Sequence, residues 1–379
     1  MLFRLLFPAI TMSLGWGLRG FIGGGPLGAM IPGAMVGLAL CLLLGRPAGS
    51  SALVAALAAV GVGFGGQMTY GNTIQLAVAE STRAWGLLGL TAKGAVWGLL
   101  GGAVIGLALE RGRVSCAGLG AMIAGTWVGW HFLNVPRLVY FSIDRQEVWA
   151  GLLLGALALL VVERSAMAWR FALVAAVGGG FGFGFGGWLQ VWGRWNAPHA
   201  WVGWWKVMEF TFGFFFGLAL AWAAERWRAP ERGVDLHDGV AGRLAATVVI
   251  VGALLAEYNW PFRFGYTIVG AALLAMLAWR PATAQLVALV MTTSAFCYDI
   301  VRDWRILPVV ATLQLPELAW LNTPLRMLLA LTWSANLVAT IKALTRGEFH
   351  GEHAMFLVLG IIITWQSRQA AAQRLPKRV

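Results

Sequence analysis

The chain has 379 residues, is 59% hydrophobic and only 12% charged, and has a mean hydropathy of +0.73. A soluble domain carries about 25% charged residues, so these values exclude an ordinary globular enzyme and point to a polytopic membrane protein. The net charge of +12 would suggest nucleic acid in a soluble protein. Here the arginines sit in short loops between apolar spans, so they read as topology signals and headgroup contacts, and no nucleic-acid partner is expected.

The N-terminal stretch MLFRLLFPAITMSLGWG lacks a small-residue cleavage site and reads as the first span rather than a signal peptide. Apolar stretches follow near 3–18, 27–44, 51–69, 86–109, 115–134, 148–162, 170–191, 202–224, 241–257, 265–279, 282–300, 325–343 and 353–366. The expected fold is therefore all-α, a transmembrane bundle of about 12–13 spans. The longest polar connection, residues 225–243, leaves no room for a soluble domain. Cys41, Cys116 and Cys297 have no CxxC spacing and read as small buried hydrophobes.

Internal similarity suggests repeats. ALVAALAAVGVGFGG (52–66) resembles ALVAAVGGGFGFGFGG (172–187), and Gly65-Gly66 aligns with Gly186-Gly187 at an offset of 121. WGLLGGAVIGLALER (97–111) resembles FGFFFGLALAWAAER (212–226) at an offset of 115. Arg46-Pro47 aligns with Arg280-Pro281 at an offset of 234, twice 117. We expect three parallel pseudo-repeats of four helices, 1–113, 114–233 and 234–346, with 347–379 as an extra C-terminal helix and basic tail.

The turns after even-numbered spans read GRP, ERGR, ERSAMAWR, ERWRAPERG, WRP and IKALTRGE. All are short and basic, so they are expected in the cytoplasm, with the N-terminus beside them and the protein in a bacterial inner membrane. One conflict arises. Thirteen spans put the C-terminal tail on the far side, although it carries Arg368, Arg374, Lys377 and Arg378. Either a short segment fails to span or the tail breaks the charge rule.

The ends of the odd-numbered spans collect a second set of residues: Arg19; Gln67, Tyr70, Asn72 and Gln75; Trp130 and Asn134; Gln190, Arg194 and Asn196; Asn259 and Arg263. Unpaired polar groups this close to an apolar span must face protein, water or ligand. Aromatic, amide and arginine groups are also what binds a sugar-like or carboxylated solute. Within the spans, Lys93 lies in the fourth and Lys206 in the eighth, with Glu209 three residues after Lys206 on the same helix face. A charge inside a span is by default a solute counter-ion or proton relay.

These residues lead to an expectation of a permease that binds a small polar or anionic solute in a cavity open to the periplasm. No cofactor or metal is expected, and the partners are the bilayer and the solute. A membrane-embedded enzyme is the first alternative, with His131, His199, Asp144 and Glu80 as acid–base candidates. A structural subunit, packing on a second copy or on other membrane chains, is the next. His350 and His353 in EFHGEH have a metal-like spacing, but a solvated helix start explains them as well. The chain has no Walker GK[ST], GxSxG or HExxH. GVGFGG (61–66) therefore reads as a tightly packed helix rather than a phosphate loop, and QMTYGNTIQ (67–75) as its solute-contacting end.

Overall fold

The computed structural model describes residues 1–22, 24–143, 147–228, 265–297 and 323–373, together with the single positions 240, 244 and 248. Among them are thirteen α-helices and no strand. They are α1 (Leu2–Arg19), α2 (Gly25–Leu44), α3 (Ala48–Gly65), α4 (Gly71–Val78), α5 (Arg83–Arg111), α6 (Cys116–Gly129) and α7 (Trp149–Glu163). Then come α8 (Ala166–Asn196), α9 (Trp204–Arg226), α10 (Gly265–Trp279), α11 (Thr283–Cys297), α12 (Pro324–Arg346) and α13 (Gly351–Ala372). Among the described residues, seven segments are long and apolar enough to cross a membrane: α2, α3, α5 with the turn before it, α6 with the turn after it, α8, α9 and α12. This is the architecture of a helical multi-pass membrane protein.

Helix ends are marked in the sequence. Glycines at positive φ close α2 (Gly45), α5 (Gly112) and α12 (Gly347). Ser115, Ser165 and Thr323 accept backbone N–H groups in the first turns of α6, α8 and α12. Within the described residues the expected spans coincide with helices, with one addition; the expected span 241–257 lies outside the described residues apart from positions 244 and 248. The segment after α3 turns at once and forms the short helix α4 instead of an open loop.

Six helices form a closed ring in the order α1, α2, α3, α5, α8, α9, with α9 packed back on α1. In lipid there is no hydrophobic force between helices, so close backbone approach has to supply the contact. Glycines supply it here. A Cβ at Gly94, Gly98, Gly102 or Gly106 of α5, each one turn apart, would lie under 3.0 Å from the backbone of Gly179, Ala175, Phe171 and Ala168 of α8. The descending partner numbers show that the two helices are antiparallel. The same pattern continues as Gly182 and Gly186 of α8 against α9, and as Gly213 and Gly217 of α9 against α1.

The ring has no central channel. Trp16, Trp97, Phe183 and Phe212 fill it, all buried. Trp16 meets Trp97 and Phe212 edge-on, with centroids 4.8 and 4.4 Å apart. The Trp97 indole N–H donates to the Val62 carbonyl at 2.8 Å. Outside the ring, the α6–α7 hairpin lies beside α5, α10 and α11 cover α3, and α12 and α13 cover α1 and α2.

One end of the bundle is closed by arginine contacts. Arg4 pairs with Glu225 at 2.6 Å and donates to the Leu43 carbonyl, Arg46 donates to the Leu109 carbonyl, and Arg111 pairs with Glu163. These guanidinium groups sit on helix C-termini, where the dipole favours cations. The turns after the second, fourth, sixth and eighth spans gather here, as expected.

The turn IKALTRGE does not. Lys342 donates to the Phe21 carbonyl at 3.0 Å, at the opposite end beside Arg19. α13 starts at that same end, with Gly351 packed on Trp201, and its 22 residues carry it about 33 Å back. The basic tail therefore leaves from the end that holds Met1. The tail and the N-terminus thus come to one end, because α12 runs opposite to the direction expected for it; the expected span 241–257 and the connection 298–322 that would set the number of crossings lie outside the described residues, apart from positions 244 and 248.

Two outcomes test this fold. Gly98→Leu forces a side chain into the α8 backbone and lowers stability by about 1–3 kcal/mol or more, read as thermal unfolding in detergent. Gly120→Leu, where a Cβ meets nothing within 4 Å, leaves it unchanged. In a background free of native cysteine, Leu2→Cys and Gln373→Cys react with an impermeant maleimide from the same side of a sealed vesicle. His350→Cys reacts from the other side.

Candidate solute-binding site

The end of the ring away from Arg4 carries a buried charge cluster. It is built from the last turn of α1, the α3–α4 turn and the first turns of α9. Arg19 is the final residue of α1 and is only 3% exposed. It donates to the Tyr70 hydroxyl at 3.0 Å and, more weakly, to the Gly25 carbonyl at 3.4 Å. Its guanidinium carbon lies 5.3, 5.5 and 5.4 Å from the ring centroids of Trp16, Tyr70 and Trp97. The aromatic plug of the ring is thus the floor on which this cation sits.

Glu209 is the centre of the hydrogen bonding. It accepts from the Tyr70 hydroxyl at 2.9 Å, from the Trp205 indole N–H at 3.1 Å and from Lys206 Nζ at 2.6 Å. Lys206 also donates to the Gly17 carbonyl at 3.0 Å and lies 4.5 Å from the Phe21 ring centroid. Gly20 makes room for it, since a Cβ there would sit 2.8 Å from Nζ. The cluster holds two cations and one carboxylate, all buried. Arg19 Nε, the Trp16 indole N–H, the Thr69 hydroxyl and both amide atoms of Gln190 have no protein partner among the described residues. Gln190 follows Phe183 by seven residues on the same face of α8. Gly186 packs on Met208 and Gly193 on Trp204, which brackets Gln190 at the level of Trp205.

A second buried pair lies nearby. Lys93 contacts Glu147 at 2.6 Å and donates to the Thr69 carbonyl at 2.7 Å, the Thr73 hydroxyl at 2.7 Å and the Ser142 hydroxyl at 3.2 Å. Glu147 also accepts from the Phe141 N–H and the Ser142 hydroxyl, both at 2.8 Å. Both charges are saturated, and together they clamp α4, α5 and the segment before α7. The turn at 69–70 joins the two clusters, with the Thr69 carbonyl on Lys93 and the Tyr70 hydroxyl between Arg19 and Glu209.

The structure sorts the residues expected at a site. Arg19, Tyr70, Lys206 and Glu209 come together, and Lys93 is locked onto Glu147. The Gln67 amide pairs with the Thr267 hydroxyl at 2.9 Å, and the Asn134 side-chain oxygen accepts from the Gly151 N–H at 3.1 Å. Trp130 and Asn72 are half-buried, while Gln75, Arg194 and Asn196 are exposed. Asn196 bonds only back to the Trp192 carbonyl. His131, His199 and Glu80 are exposed. His131 stacks on Trp127, and no hydrogen bond or ion pair joins these three among the described residues. Asp144, Asn259 and Arg263 lie outside the described residues. No group of three or more His, Cys, Asp or Glu side chains able to hold a metal occurs among the described residues.

Glu147 and Trp205 are the residues that the sequence reading missed. Glu147 sits in a polar loop among other charged residues. The one signal for it was indirect: a lysine inside a span requires a carboxylate within reach. No known family, curated protein or solved structure matches this chain.

Removing one partner of a saturated buried pair strands the other charge, at a cost of about 3–5 kcal/mol. Lys93→Met or Glu147→Leu alone should therefore sharply lower the unfolding temperature in detergent. The double variant should recover most of that loss. Additive losses would show that the pair is not coupled.

Proposed function

We propose that this chain is an inner-membrane permease that binds a small polar or anionic solute at the mouth of its six-helix ring. The observation that carries the reading is the Arg19–Tyr70–Glu209–Lys206 cluster. It is buried, carries more positive than negative charge, and rests on an aromatic floor. Charge in such a place is costly unless it serves a solute or an ion. The positive-inside rule supports a cytoplasmic location for the end that holds Met1, Arg4, Arg46 and Arg111. The Arg19 end then faces the periplasm.

In this reading the Trp16–Trp97–Phe212 floor separates the site from the cytoplasmic end. Passage requires the floor to part. The glycine seams between α5, α8, α9 and α1 suit that movement, because the helices meet there largely through backbone and small side chains. Sliding of packed helices is a known shear mode. Tyr70 couples the mouth to the rest by linking Arg19 to Glu209.

Purified protein in proteoliposomes should show saturable uptake or binding of at least one small polar or anionic solute. Tyr70→Phe should weaken it by roughly tenfold, the worth of a hydrogen bond to a charged group. The absence of saturable uptake and binding across a broad panel would rule the proposal out.

A further inference from the structure

We infer that the solute is a monoanionic carboxylate, held by the Nε–Nη2 edge of the Arg19 guanidinium. The inference rests on the solute-binding reading above and narrows it to one chemical class. Its first support is the charge balance. Glu209 receives three donors and touches Lys206 directly, but no contact joins it to Arg19. Lys206 is therefore neutralised by its own helix neighbour. Among the described residues, Arg19 is left as a buried cation whose partners are a neutral hydroxyl, a distant carbonyl and three aromatic rings. One negative charge would balance it.

The second support is the geometry of the guanidinium. Its five N–H groups point outward in one plane. Nη1 is taken by Tyr70, while Nη2 reaches the Gly25 carbonyl only at 3.4 Å. Nε is buried and has no protein partner among the described residues. Nε and Nη2 lie on the same edge, and that edge matches the two oxygens of a carboxylate. The third support is the sign of what is missing. The unpartnered groups of the cluster are mostly donors: the Arg19 Nε–H and the Trp16 indole N–H only donate, while the Thr69 hydroxyl and the Gln190 amide can donate and accept. A lack of acceptors is filled by an acceptor-only group, which a carboxylate is. A sugar hydroxyl could accept these bonds but would leave the charge uncompensated. A dianionic phosphate or sulfate would overcompensate it.

The test is ligand binding to the purified full-length protein in detergent, by calorimetry and thermal shift. The probes are acetate, lactate and benzoate, with glucose and glycerol as neutral solutes and phosphate and sulfate as other oxyanions. At least one monocarboxylate should bind. Arg19→Lys, which keeps the charge but loses the two-pronged edge, should weaken it at least about tenfold. If Arg19→Lys does not fold, Trp16→Phe, which deletes the indole donor but keeps an aromatic ring under Arg19, should weaken the same ligand severalfold. Binding of a neutral solute without any carboxylate overturns the inference and leaves the solute-binding reading standing. Binding of phosphate or sulfate in preference to the carboxylates also overturns it. Carboxylate binding unaffected by either variant places the ligand elsewhere and overturns it as well. If no probe binds, both readings fall.

Discussion

The backbone contact between α5 and α8 is the constraint on which the rest of this molecule depends. Four glycines spaced one turn apart bring the helices so close that a methyl group at any of the four positions would collide. The contact fixes more than a distance. It sets the register of α5, so that Trp97, beside Gly98, points into the ring and meets Trp16. Gly65 of α3 yields the space, since a Cβ there would strike the Trp97 indole. The run GVGFGG is therefore the socket for the aromatic floor.

The floor in turn creates the electrostatic problem at the mouth. A guanidinium lying over three aromatic rings is held partly by their quadrupoles, but it is still a desolvated charge. The α3–α4 turn resolves part of this. Lys93 holds the Thr69 carbonyl, and that anchors Tyr70 where its hydroxyl can accept from Arg19 and donate to Glu209. One peptide thus links a fully saturated ion pair to one that carries an excess charge. The saturated pair is fully partnered, and the other cluster keeps unpartnered donors among the described residues. Two lysines that look alike in sequence, each early in an apolar span, thus have different surroundings.

The extent to which this was legible follows from the range of each signal. Helix positions were legible because apolar runs, serine caps and glycine stops are local. The Lys206–Glu209 pair was legible because three residues is a helical spacing. Arg19 with Tyr70 was legible only as membership of one end of the bundle, because their contact spans 51 residues and no spacing rule reaches that far. α4 was hidden because a short helix after a glycine run resembles a loop. The direction of α12 was hidden because parity counting extends through the connection 298–322, which lies outside the described residues. The threefold repeat is a sequence expectation whose third copy lies only partly within the described residues. Within the described part, the α3 glycine run packs on α2, α5 and α10, and the α8 run on α5 and α9.

The central claim is that the ring mouth presents a buried arginine edge to a ligand rather than to the protein. An experimental structure of the full chain in lipid nanodiscs tests it most directly, through the density around Arg19. The account predicts Arg19 over Trp16, Tyr70 and Trp97, with non-protein density against Nε and Nη2. A carboxylate of the chain itself against Nε, or a guanidinium turned away from the aromatic floor, would contradict it.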